Sequence, residues 1–86
     1  MSSDPVDRLL RAILESAIGQ RAMPARLGHD TPLLGAIPEL DSMAVLAILT
    51  QLQDELGLTI ADNEISAERF ETYGALAGFV RDKLAG

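Results

Sequence analysis

The chain has 86 residues, a net charge of −6 and 48% hydrophobic residues, enough for one small domain around one core and too apolar for a disordered segment. It has no cysteine and one histidine, His29, which sets aside disulfide scaffolds, thiolate zinc sites, cysteine nucleophiles and histidine-based metal clusters. The acidic balance argues against a nucleic-acid backbone as partner.

The charge is unevenly spread. Residues 1–29 hold four arginines against three acids, whereas residues 30–86 hold ten acids against three bases. Such a surface either meets basic partner proteins or is simply solvated. Arginine outnumbers lysine six to one, a bias loosely associated with GC-rich bacterial genomes. No basic segment followed by a long apolar run opens the chain, and no apolar stretch approaches the roughly 20 residues of a membrane span. The expected location is the cytoplasm, and residues 1–86 are read as a single domain.

In chain order, Asp4 and Pro5 open a first helix as N-cap and first helical residue. Val6, Leu9, Leu10, Ile13, Leu14, Ala17 and Ile18 follow at three- and four-residue spacing, with Asp7, Arg8, Arg11 and Glu15 opposite, so the spacing predicts an amphipathic helix that stops near Gly19. From Gln20 to Leu40 the pattern is broken by Pro24, Gly28, Pro32, Gly35 and Pro38. A long connection anchored by Met23, Leu27, Leu33, Leu34 and Ile37 is expected, with one helical turn near Pro32–Leu34. His29 lies in this loop and reads as an exposed residue rather than a functional one.

A second helix is expected from Ser42 to Leu56, begun by the capping residues Asp41 and Ser42 and closed by Gly57. At 100° per residue, Val45, Ile48, Leu49, Leu52 and Leu56 form its core stripe. Met43, Leu46, Ala47 and Thr50, with Asp54 nearby, fall on the other side as an apolar patch, either a contact surface or a face covered by the long loop. Leu58-Thr59-Ile60 is too short and isolated for a sheet, and Asp62-Asn63-Glu64 reads as a polar turn. Ser66 is placed to cap a short helix through Ala67 to Phe70. Thr72 is placed to cap a last helix burying Leu76, Phe79, Val80 and Leu84, weakened by Gly74 and Gly78.

Nothing in this pattern assembles an enzyme. No carboxylate stands beside a candidate partner, Ser42 has no histidine within local reach, no glycine-rich phosphate loop is present, and Asp62-Asn63-Glu64 lacks the spacing and central glycine of a calcium loop. Ser42 remains as a residue that another enzyme modifies. A phosphodiester on its hydroxyl would sit where free N–H groups and the helix dipole favour an anion. On its own, the same serine also fits an ordinary N-cap.

Leu40-Asp41-Ser42-Met43 followed by an apolar helix resembles the Asp-Ser-Leu attachment motif of acyl carrier proteins. The likeness runs over nearly the whole chain, through Leu33-Leu34, Leu58-Thr59-Ile60-Ala61-Asp62 and Phe70-Glu71-Thr72. It implies an all-α, four-helix bundle with a long loop between the first and second helices and a short third helix. It further implies that a phosphopantetheinyl transferase places 4′-phosphopantetheine from coenzyme A on Ser42, beside Asp41, and that acyl groups ride on the arm as thioesters. The domain itself would be no enzyme and hold no metal. Ile48, Leu49, Leu52, Ile60, Ile65 and Phe70 are the implied acyl-chain lining, and acyl-loading and acyl-transferring enzymes the implied partners of a monomer.

The departures from the family pattern bear on docking. Met43 replaces the usual leucine, a volume-conserving change. Ala44, Ala47 and Gln53 stand where carriers of fatty acid synthesis commonly show acids. Docking is therefore expected to rely on Met43, Leu46, Ala47 and Thr50, with Asp54, and to serve a specialised pathway. Pro38 to Val45 looks like carriers encoded near bacterial exosortase and exopolysaccharide systems. The alternatives are a peptidyl or aminoacyl carrier of nonribosomal synthesis, distinguished by its cargo, and an unmodified helical adaptor, distinguished by its failure to gain the arm.

Overall fold

The computed structural model describes residues 5–85, Asp62 by its backbone only. Three α-helices, α1 (Pro5–Ile18), α2 (Ser42–Leu56) and α3 (Tyr73–Ala85), enclose one core, and no strand occurs among the described residues. The expected cap Asp4 lies outside them. Pro5 occupies the first helical position of α1, where its missing N–H costs nothing. Leu10, Ile13, Leu14 and Ile18 are buried, and Gly19 ends the helix at φ 91°, a conformation that favours glycine.

A 3-10 turn at Gln20–Ala22 follows. The helical turn expected at Pro32–Leu34 is instead extended, because its backbone is used elsewhere. Residues 29–34 run antiparallel beside 70–74. Leu33 and Leu34 N–H donate to the oxygens of Glu71 and Phe70, each at 2.9 Å, and Tyr73 and Gly74 N–H donate to those of Thr31 and His29 at 2.9 and 2.8 Å. Leu33, Ile37 and Leu40 are buried, while Met23, Leu27 and Leu34 pack against the core from its edge. The connection is thus held by backbone bonds on one side and apolar plugs on the other.

The Asp41 carboxylate caps α2, accepting from Ala44 N–H at 2.9 Å, and Gly57 closes the helix at φ 62°. Ala44, Ile48, Leu49 and Leu52 are its buried residues. Val45 and Leu56, expected in the core stripe, are only partly buried. The Gln53 amide reaches across the next loop, donating to Leu49 O at 3.3 Å and accepting from Ile60 N–H at 3.0 Å. Its role is therefore to pin the chain after α2.

The short third helix is not an α-helix: Ala67–Phe70 is a single 3-10 turn, preceded by another at Asp62–Glu64. The four-helix description is corrected to three α-helices. Within the turn, Arg69 and Glu71 N–H bond to the oxygens of Ser66 and Glu68, and the chain must straighten at once to lie beside residues 29–34. Ser66 has the backbone geometry of an N-cap but its side chain makes no cap bond. Thr72 does cap, its Oγ1 accepting from Ala75 N–H at 3.1 Å. Leu76, Phe79 and Val80 are buried as the spacing predicts, but Leu84 is 46% exposed, since the last turn of α3 runs past the core.

Candidate functional site at the start of the second helix

Ser42 is the first residue of α2 and is exposed. The first four N–H groups of a helix have no partner within it. Here Ala44 N–H is taken by the Asp41 carboxylate and Val45 N–H makes the first helical bond, to Asp41 O at 2.9 Å. The N–H groups of Ser42 and Met43 precede that bond, at the positive end of the helix dipole. An anionic phosphodiester on the Ser42 hydroxyl fits this position. The neighbouring carboxylate of Asp41 is engaged in the cap.

A groove of ≈ 470 Å³ opens beside Ser42. One wall is a helical stripe spaced by three and four residues, Ser42, Val45, Leu46 and Leu49. The other is formed by Leu34 and by Ile65, Ser66, Ala67 and Phe70. No lining residue is charged. Of the six side chains the resemblance implied, Leu49, Ile65 and Phe70 line the groove. Ile48 and Leu52 are fully buried and Ile60 is 8% exposed, and none of the three reaches it.

Helix geometry accounts for this placement. Ile48 and Leu52 lie one residue round from the groove stripe, on the face toward the interior. The residues missed are Leu34, Val45, Leu46, Ser66 and Ala67. For Leu34 a signal was present, since adjacent residues of an extended segment face opposite ways. With Leu33 in the core, Leu34 must look outward.

Met43 and Leu46 are 75% and 59% exposed, and Ala47, Thr50 and Asp54 are exposed on the same side of α2. The long loop does not cover this face. A second depression of ≈ 430 Å³ lies on the far side of Met43, between Ala17 and Ile18 of α1 and Glu39, Asp41, Ala44 and Ala47.

Away from the groove, Glu64 and Lys83 form an ion pair at 2.9 Å. Glu64 accepts from Ala61 N–H and from Lys83 Nζ, each at 2.9 Å, and these bonds, the backbone one first, hold its carboxyl below the usual range. No cluster of metal-ligating side chains occurs among the described residues, and no helix among them is long and apolar enough to cross a membrane.

An exposed serine on an anion-favouring helix start, with an apolar trough beside it, suits a tethered prosthetic group. Comparison with known proteins agrees. The phosphopantetheine attachment site family matches residues 8–80, and the chain belongs to that family. It is a carrier rather than an enzyme, and its cofactor is covalently attached 4′-phosphopantetheine. Among solved structures it is similar to the solution NMR structure of a holo acyl carrier protein from Nitrosomonas europaea, with 43% identity, a TM-score of 0.79, and coverage of 90% of this chain and 93% of that one. No match is found among curated proteins.

Proposed function

We propose that the chain is a stand-alone acyl carrier whose arm is attached at Ser42 and whose cargo is an apolar acyl group held as a thioester on the arm's terminal thiol. The observation that carries this reading is the groove: it begins at Ser42 itself and has no charged lining residue. An alkyl chain covered there loses water contact at about 0.8 kcal/mol per methylene. An aminoacyl group would bring an ammonium into a groove with no charged lining residue, which weighs against a carrier of nonribosomal synthesis.

Partners are the phosphopantetheinyl transferase and enzymes that load and remove the acyl group. They dock on the outward face of α2, through Met43, Leu46, Ala47 and Thr50, with Asp54 at its far end. The small share of acids on this face favours partners of a specialised pathway over those of bulk fatty acid synthesis. The carrier acts as a monomer in the cytoplasm. Incubation with coenzyme A and a broad-specificity transferase should add one phosphopantetheine to the intact mass of the wild type and none to Ser42→Ala. A gain that persists in the variant, or no gain in either, overturns the assignment of Ser42.

A further inference from the structure

The start of α2 divides two hollows. Ser42 lines the apolar groove, while Asp41 and Met43, the residues on either side of it, line the depression of ≈ 430 Å³ toward α1. Ile18 and Ala44 are the buried residues of this depression, and Glu39, Asp41, Met43 and Ala47 stand exposed around them. Unlike the groove, it has charged lining residues, and both are carboxylates, which only accept hydrogen bonds. Asp41 uses Oδ1 in the helix cap, and the Glu39 side chain makes no hydrogen bond or ion pair among the described residues.

We propose that this depression is the resting site of the 4′-phosphopantetheine arm when it carries no cargo. The inference rests on the reading of Ser42 as attachment residue. Beyond its phosphate the arm is neutral and mixed in character, with geminal methyl groups, a hydroxyl and amide N–H groups. Glu39 and Asp41 supply acceptors for those donors, and Ile18, Ala44 and Ala47 an apolar surface for the methyl groups. The groove offers no such match. Once Ser42 is esterified, Ser66 is its one remaining side-chain hydroxyl, so amides covered there would give up water without a full set of partners. A tethered ligand occupies even a weak site, because a short flexible link holds it at about millimolar effective concentration. Glu39 and Asp41 thereby hold the empty arm toward α1 and leave the groove clear.

The test compares amide NMR spectra of the apo and holo forms, the holo form made from coenzyme A and verified by intact mass. Attachment itself shifts Ser42 and its neighbours, so the diagnostic residues are Ala17 and Ile18 of α1. Their amides should shift on conversion, and the arm's geminal methyl protons should show NOEs to the Ala17 and Ala47 methyl groups. Glu39→Ala removes an acceptor, and Ala47→Leu adds bulk at an exposed rim position. Each should reduce the Ala17 and Ile18 shifts, taken as holo minus apo within the variant, by about half or more. The wild-type NOEs carry the test alone if neither variant folds. Methyl protons that contact no part of the protein, NOEs to Leu34 or Ile65 in their place, or α1 shifts undiminished in either variant overturn the proposal. Failure of phosphopantetheine to appear on Ser42 is a separate result, which overturns the carrier reading itself and this inference with it.

Discussion

Tyr73, the first residue of α3, donates its phenolic hydroxyl to the carboxylate of Asp7 in the first turn of α1, with the Asp7 backbone oxygen 3.3 Å from the same hydroxyl. The contact joins the beginnings of two helices that are 66 residues apart in sequence. Burial first, and then the Asp7 carboxylate, raises the Tyr73 pKa above its ordinary value of 10.0, with Arg81 and Arg11 opposing weakly. A raised folded-state pKa means that the protonated phenol stabilises the fold fully below the unfolded pKa and that this stability is lost as pH rises above it.

Through Tyr73 the urea midpoint should therefore not vary with pH near neutrality and should fall as pH passes above 10, where an unfolded tyrosine ionises. Tyr73→Phe should cost about 1–2 kcal/mol at pH 7 and flatten the alkaline decline. Tyr73 is the only tyrosine, so ultraviolet absorbance follows its ionisation directly. An alkaline decline unchanged in the variant would assign it to other groups.

Gly74 is required by a close approach. A Cβ built there would lie 2.3–2.6 Å from the ring atoms of His29, whose carbonyl is held by Gly74 N–H. Gly74→Ala should destabilise the protein by about 1–2 kcal/mol, although alanine is the better helix former by about 1 kcal/mol. With the ring removed in His29→Ala/Gly74→Ala, the propensity gain should reappear and the double variant should recover the loss. A thermal-melt cycle that is simply additive would refute the contact.

Docking should depend more on Met43 than on Asp54. Met43 is 75% exposed and lies outside the groove, so Met43→Asp should leave Tm within about 1 °C while cutting transferase kcat/KM by about 10-fold or more through lost apolar burial. Asp54→Asn should change it less, and the reaction should respond only weakly to added salt. The reverse order, measured by steady-state kinetics at two ionic strengths, would place the recognition in charge.

Glu64 offers a ranking of causes. The backbone bond from Ala61 is the largest single cause of its lowered pKa, ahead of the Lys83 hydrogen bond. In Lys83→Met the carboxyl titration, followed by NMR, should move upward yet stay below 4.5. The sign for stability is opposite to that of Tyr73. This contribution is present above the unfolded pKa and is lost as pH falls through the folded one.

The second helix was legible residue by residue because its limits are chemical: Asp41 caps it and Gly57 breaks it, and both act within one turn. The proposal of Ser42 as attachment residue comes from that boundary and from the family likeness. The groove was less legible, because one wall comes from Leu34 and the other from Ser42, Val45, Leu46 and Leu49, and only backbone bonds between 29–34 and 70–74 bring the first into place. Hydrophobicity alone could not separate Val45 from Ile48. Both are β-branched and apolar, and a rotation about the helix axis decides which meets the core. The stretch before Thr72 reads as helical by composition, but its backbone groups are committed to Leu33 and Leu34. Leu84 follows the buried spacing of α3 yet is 46% exposed, because spacing alone does not say how far along a helix the core extends.

Leu46 belongs to two surfaces at once, the rim of the groove and the outward face of α2. If the groove holds the cargo as proposed, an enzyme that grips that leucine would touch the cargo's wall, and an occupied groove would present it with a differently supported handle. Recognition of the carrier and of its load would then be joined in a single side chain, and empty and charged forms should leave the same enzyme at different rates.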